Sequence, residues 1–219
     1  GLTHELNSPL SGLINLIRLQ KEEVQNSPEK LAETQEIEKA LIHMQRVVND
    51  FTSFARPVKE EHELCDINQI IEDSLALAEI NLKKKNIKIE KHFDSSLPQI
   101  IINSAKIKQV MLNLINNAID SIEGEGTISI SSKKENSNYL IEVADTGCGI
   151  DPKIYKHLYD PFFTTKKLRR GTGLGLSIVH TIIKNHGGSI NVKSELGKGT
   201  TFYIRIPKEI INNMDNQNG

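Results

Sequence analysis

Tyr139-Leu140-Ile141-Glu142-Val143-Ala144-Asp145-Thr146-Gly147-Cys148-Gly149-Ile150 carries a strand pattern straight into an aspartate and a glycine turn. Upstream, Thr127–Lys133 reads as a partner strand, joined to Tyr139–Ala144 through the polar turn Glu135-Asn136-Ser137-Asn138. Further upstream, Asn113-Leu114-Ile115-Asn116-Asn117-Ala118 falls in a helix predicted over Ser104–Ile122. Downstream, an irregular stretch from Asp145 to Thr172 leads to Gly171-Thr172-Gly173-Leu174-Gly175-Leu176, which opens a helix over Leu174–Asn185. A helix over Ile67–Lys84 and strands at Ile87–Phe93, Gln99–Ile102, Ser189–Ser194 and Thr201–Ile206 complete the region. The order is mixed, without steady βαβ alternation, and predicts an α/β sandwich with helices layered on a mixed sheet.

The first third reads differently. Leu2, Leu6, Pro9/Leu10, Leu13 and Leu16/Ile17 recur in steps of three and four, the seam of a packed helix. Asn26-Ser27-Pro28 interrupts it, with Ser27 suited to an N-cap and Pro28 to the first helical position. A second seam runs through Ile37, Leu41, Met44, Val48, Phe51 and Ala55 and stops before Pro57. Two helices and a tight turn make an antiparallel hairpin, too thin to cover both its apolar faces. Two copies packed as a dimeric four-helix bundle would cover them, so a homodimer is expected. The polar stretch Arg56–Glu63 reads as a linker and Asn212–Gly219 as disordered. The expected division is 1–60 for the hairpin, 61–210 for the α/β domain and 211–219 for the tail.

Bulk numbers exclude more than they suggest. With 27 basic and 28 acidic residues in 219, whole-chain charge gives no argument for nucleic acid or a membrane surface. Cys65 and Cys148 lie far apart, match no metal or redox spacing, and read as reduced thiols in a cytoplasmic setting. No apolar run approaches the ~20 residues of a membrane span. The chain opens inside a helical pattern at Gly1-Leu2-Thr3, so it reads as a fragment. A further segment upstream, membrane-anchored or not, is expected in the parent protein.

Glycines at alternate positions before a helix let backbone N–H groups approach a polyphosphate, where the helix dipole also favours negative charge. An aspartate beside a glycine turn can accept a hydrogen bond from an exocyclic amine such as adenine's. Asn113 and Asn117 share a helix face, and a side-chain carbonyl there is a hard ligand suited to Mg²⁺. The glycine spacing fails the Rossmann fingerprint and lacks the Lys-Ser/Thr of a P-loop. The pieces gain meaning from their order: asparagine helix, strand, Asp-glycine turn, long loop, glycine loop, helix. That order resembles the ATP-binding domain of sensor histidine kinases of bacterial-type two-component systems, within the wider group that includes gyrase. The resemblance extends to Asp160-Pro161-Phe162-Phe163-Thr164-Thr165-Lys166, to Gly197-Lys198-Gly199-Thr200 and to His4-Glu5-Leu6-Asn7-Ser8-Pro9, which looks like the family's phospho-acceptor motif. It implies ATP and Mg²⁺ as cofactors, Asn117 as metal ligand, Asp145 as adenine reader with Thr200 as its helper, and 151–172 as a lid. Asn113, Gly147, Gly149, Lys166, Gly171, Thr172, Gly173, Leu174, Gly175 and Leu176 complete the expected nucleotide site.

His4 differs from the other six histidines by its acid-proline context. Helical spacing aligns it with Ser8, Ser11 and Asn15, away from the seam. Neutral imidazole is a nucleophile near pH 7, and a carboxylate such as Glu5 taking the Nδ1 proton would free Nε2 to attack. Consecutive helix residues diverge, so Glu5 has to swing back to do this. The resemblance implies phosphoryl transfer from His4 to an aspartate on a response-regulator receiver domain, with Ser8 placed where related kinases position a dephosphorylating water. Lys166, Lys167, Arg169 and Arg170 suit a solvated loop or phosphate neutralisation, with Lys166 favoured. An ATPase or a serine kinase of the same group, and a silent dimeric scaffold, are the alternatives. His4-Glu5 argues against the first two, and the intact asparagine, aspartate and glycine set against the third.

Overall fold

The computed structural model describes residues 2–55, 61–165 and 171–208, without the side chains of 2–5, 46, 50 and 53–55. The expected linker positions 56–60, the cationic loop 166–170 and the tail 211–219 lie outside the described residues. The chain divides into two compact units, residues 1–58 with 160–178, and residues 59–159 with 179–219.

In the first unit, α1 (Leu2–Glu23) and α2 (Pro28–Ala55) form the antiparallel hairpin, α2 opening on Pro28 as expected. Ile14, Ile17 and Leu41 form its buried core, with Leu10 packed against them. Polar pairs flank this core and set its register. Asn7 Nδ2 donates to Asn49 Oδ1 at 2.7 Å, Gln45 Nε2 to Ser11 Oγ at 3.1 Å, and Arg18 and Lys21 both reach Glu38, at 3.1 and 2.8 Å. Steps forward along α1 are matched by steps back along α2. The bonds from Lys21 and Arg18 hold the Glu38 carboxyl below its ordinary range.

The two seams divide between two faces of the hairpin. Leu6, Leu13, Leu16, Ile37, Met44 and Phe51 do not pack between the two helices but stand exposed, with Leu19 beside them. The sequence carries two apolar stripes. The inner one joins α1 to α2, and the outer one faces water.

The second unit begins with β1 (Glu63–Cys65), where a linker end was expected. It pairs antiparallel with β3 (Ile100–Ile102). Between them come α3 (Ile67–Lys84) and β2 (Ile87–Phe93). Next follow α4 (Ser104–Ser121), β4 (Gly126–Glu135) and β5 (Asn138–Asp145), then a short 3₁₀ turn at Pro152–His157. α5 (Gly175–Asn185), β6 (Ser189–Glu195) and β7 (Gly199–Pro207) complete the order, α5 crossing from the first unit into the second. The main sheet runs β2-β4-β5-β7-β6, with β2–β4 parallel and every other pair antiparallel. α4 packs on β4, β5 and β7, and α3 packs on α4 and β2. Alternation drives this: Ile128 and Ile130 of β4 and Phe202, Ile204 and Ile206 of β7 are buried, with intermediate residues between them. From α4, Ile107, Val110, Met111, Leu114 and Ile115 seal the core. Asp66 and Asn103 cap α3 and α4, their side chains accepting first-turn N–H groups. The β4–β5 hairpin closes through Asn136, which takes the left-handed φ of 55° such a tight turn needs.

Candidate active site

α4 lies beneath the sheet and presents Asn113, Asn117 and, one turn further, Ser121 along one face. Ser121 was not singled out in the sequence, yet it ties the helix to the Asp-glycine turn. Its hydroxyl donates to Asp145 Oδ1 at 2.9 Å, and its carbonyl accepts the Cys148 N–H at 3.0 Å. Its place four residues past Asn117 was the signal that could have found it.

Asp145 is the last residue of β5. Oδ1 also accepts the Gly147 N–H at 2.8 Å, and the Thr200 backbone, opposite Asp145 in the β5–β7 register, donates to the carboxyl as well. Burial pushes the Asp145 carboxyl above its ordinary range, and these donors pull part of the way back. The result is a half-buried acceptor whose orientation is fixed by groups from α4, β7 and its own turn. Thr200 is itself buried, its hydroxyl 2.9 Å from Ser194 Oγ.

The glycines of this turn are spoken for by protein. A Cβ on Gly147 would fall 2.1 Å from Ser121 Oγ. Gly149 has φ 72°, and a Cβ there would fall 2.1 Å from the Glu195 carbonyl oxygen. Both positions therefore need glycine to close the turn against its neighbours.

The second unit brings together Asn113, Asn117, Asp145, Gly147, Gly149 and Thr200. Gly171, Thr172, Gly173, Leu174, Gly175 and Leu176 belong to the first unit. There Thr172 Oγ1 accepts the Leu174 N–H at 3.3 Å, and Leu174 is fully buried. Gly173 takes φ 69°, with its Cβ position only 2.3 Å from the Phe162 carbonyl carbon; Phe162, at φ 67°, is exposed. Lys166 lies outside the described residues. His4 and Glu5 sit in the first turns of α1, and their side chains, including the expected outward aim of His4, lie outside what is described. Ser8 is exposed on α1.

Among the described residues, no group of three or more His, Cys, Asp or Glu could hold a metal ion. An amide carbonyl such as that of Asn117 is a hard oxygen donor, a chemistry that fits a divalent ion brought in on phosphate oxygens. His186 behaves as a structural residue: it is buried, its Nε2 accepts the Asn103 N–H at 3.3 Å, and its Nδ1 lies 2.8 Å from the Ile182 carbonyl. No described helix is long and apolar enough to cross a membrane.

Residues 1–60 match the family profile of the His Kinase A (phospho-acceptor) domain, and residues 102–210 match that of the histidine kinase-, DNA gyrase B-, and HSP90-like ATPase. The chain is 33% identical to the sensor histidine kinase ZraS of Escherichia coli (strain K12) over 210 residues, 96% of this chain and 45% of ZraS. It thus spans under half of that relative's length. The solved catalytic domain of histidine kinase ThkA is 34% identical with a TM-score of 0.62, over 68% of this chain and 96% of that one. Full-length ShkA in complex with AMPPNP superposes with a TM-score of 0.76 at 27% identity, over 94% of this chain and 44% of ShkA. ThkA in complex with the response regulator protein TrrA gives 0.71 at 27% identity, over 95% of this chain and 60% of that one.

Proposed function

The chain belongs to the sensor histidine kinase family, and we propose that it is the ATP-dependent protein-histidine kinase core of a longer protein, phosphorylated on His4. The union of a phospho-acceptor helix and an ATPase-type sheet unit in one chain carries this reading. His4 Nε2 attacks the γ-phosphorus, the bond to the β-phosphate oxygen breaks, and ADP leaves with that electron pair. Glu5 accepts a hydrogen bond from Nδ1–H, stabilises the imidazolium as it forms, and then takes that proton to leave neutral phosphohistidine. Asp145 accepts the adenine amine, its carboxylate oriented by donors from Ser121, Gly147 and Thr200. Gly171–Leu176 and Lys166 serve the phosphates. Mg²⁺, when bound, neutralises phosphate charge, and Asn117 is its ligand from the protein, with Asn113 beside it.

The phosphoryl group then passes to an aspartate of a response-regulator receiver domain, and Ser8 assists its later hydrolysis. The ThkA–TrrA complex supports that partner class, and the AMPPNP complex of ShkA supports ATP. The working division is 1–60 for dimerisation and phospho-acceptance, 61–210 for ATP binding and 211–219 for the tail, in a cytoplasmic core following a sensor. The outer stripe of Leu6, Leu13, Leu16, Ile37, Met44 and Phe51 supports a homodimer, since it is the surface a second hairpin would cover.

Incubation with γ-labelled ATP tests the reading. Label should be lost in acid, as phosphohistidine is, and His4→Gln should abolish it while ATP binding stays unchanged. Acid-labile label persisting in His4→Gln would remove His4 from the reaction.

A further inference from the structure

α4 ends without the usual devices. Its last turn carries no basic residue, and Ile122 leaves the helix extended, at φ −86° and ψ 120°, with no left-handed glycine cap. The final carbonyls of a helix have no helical donor and need partners from elsewhere. Three of them can be traced. Ala118 O lies 2.8 Å from Ser121 Oγ and shares that hydroxyl's one proton with Asp145 Oδ1, Ser121 O accepts the Cys148 N–H at 3.0 Å, and Ile119 O accepts Lys85 Nζ at 2.5 Å. The same ammonium also donates to Ile122 O at 2.9 Å, just past the helix.

Lys85 comes from the end of α3. It is that helix's C-cap, its N–H bonded to Leu82 O at 3.2 Å, and Asn86 turns the chain away with a left-handed φ of 51°. Lys83, two residues earlier, is a surface lysine paired with Glu79. Lys85 is half-buried and turned onto the neighbouring helix, supplying the cation that the C-terminal end of α4 lacks.

Its two acceptors bracket Ser121, the residue that bonds Asp145. We propose that Lys85 is a positioning residue for the nucleotide site, holding the last turn of α4 so that Ser121 fixes the Asp145 carboxylate. This rests on the reading of Asp145 as the adenine acceptor. Without the ammonium, Ile119 O and Ile122 O lose their donor, the terminal turn frays, and Ser121 no longer presents its hydroxyl steadily. Asp145 then loses one of the donors that orient it. The effect falls on nucleotide binding and not on the chemistry at His4, because Lys85 acts on the adenine side alone.

The test uses the 219-residue chain and ATP. Lys85→Met should raise KM for ATP about tenfold with kcat unchanged, the signature of binding lost equally from ground and transition states. Ser121→Ala should do the same. The double variant should be no worse than Ser121→Ala alone, since both changes act through one bond. An unchanged KM in Lys85→Met, a loss confined to kcat, or full additivity with Ser121→Ala would each overturn the proposal. Should Lys85→Met fail to melt cooperatively, Ser121→Ala still decides, because an unchanged KM there breaks the link between α4 and Asp145. Failure of the unmodified chain to bind ATP would instead bring down the reading of the site itself.

Discussion

The hairpin and the sheet unit use apolar residues in opposite ways. Along α4, Ile107, Val110, Met111, Leu114 and Ile115 are all essentially sealed from water. Among the described residues of the hairpin, Ile14, Ile17 and Leu41 are the buried apolar ones, while Leu13 is 48% exposed, Leu16 63% and Met44 46%. The sheet unit closes its core within one chain. The hairpin gets its register from Asn7–Asn49, Ser11–Gln45 and the Glu38 ion pairs, but leaves a whole stripe uncovered. Exposed pairs of this kind contribute little each, so they align the helices without making the hairpin stable alone. Stability should therefore be intramolecular in the sheet unit and concentration-dependent in the hairpin.

The strongest way to break this comparison is to charge the outer stripe. Leu13→Glu with Met44→Glu should convert the proposed dimer to monomer at micromolar concentration, since burying each apolar side chain contributes about 1.5–3 kcal/mol and a charge there reverses the sign. Sedimentation reads the mass, and calorimetry should find ATP binding retained. A dimer that survives both charges would show that the outer stripe is not the interface.

Met111→Ala probes the other side. It empties space in a sealed core and should lower the stability of the sheet unit by about 2–5 kcal/mol. That loss should not vary with protein concentration, and the hairpin should still associate. A concentration-dependent midpoint would mean that the two units do not separate energetically.

Asp145 sharpens the contrast between stability and function. Its carboxyl is raised by burial. Between the unfolded value and the higher folded value the native state holds more protons, so this group's stabilising contribution is present at low pH and is lost as pH rises through the folded value. In the proposed site ATP binding runs the other way: an ionised Asp145 is the better acceptor, so affinity should fall as pH drops through that value. Asp145→Asn should weaken ATP by about 1.5–3 kcal/mol, roughly 10- to 100-fold, and flatten this acid limb. An acid limb that survives in Asp145→Asn would assign it to another group.

The smallest effect concerns Tyr139. Its ring is buried, and its hydroxyl has no hydrogen-bond partner among the described residues. Burial raises its pKa for the same reason that it costs stability. Tyr139→Phe should stabilise the sheet unit by about 1 kcal/mol, read as a higher Tm. A lower Tm would show that the hydroxyl has a partner.

Much of this was legible in the sequence where local pattern suffices. Strands β4 and β5 announced themselves by alternation on either side of a polar turn, and α3 and α4 by their apolar spacing. β1 did not, because Glu63-Leu64-Cys65 is too short to show a period and its partner β3 lies far along the chain. Periodicity found both apolar stripes of the hairpin but could not say which one faces the sister helix and which a second copy, since either satisfies the same spacing. The Asp145 turn stood out by composition. Ser121 and Lys85 did not, because their roles rest on bonds to residues 24 and 34 positions away. The rise in the Asp145 pKa depends on burial, which no local motif records.

Asp145 and Thr200 stand opposite each other in the sheet, although α5 and β6 lie between them in the chain. The pairs β4–β5 and β6–β7 close over a few residues, and local pairings of this kind form in microseconds. Joining the two hairpins through β5 and β7 has to await closure of the long intervening segment, and non-local contacts of that sort set the pace of folding. A chain caught before this step would hold most of its strands and lack the Asp145–Thr200 pairing on which the proposed adenine site rests. During refolding, ATP binding should therefore return after the strand signal; simultaneous return would place the β5–β7 junction in the folding nucleus. The nucleotide affinity proposed for this chain is then acquired late, at the moment the two hairpins meet.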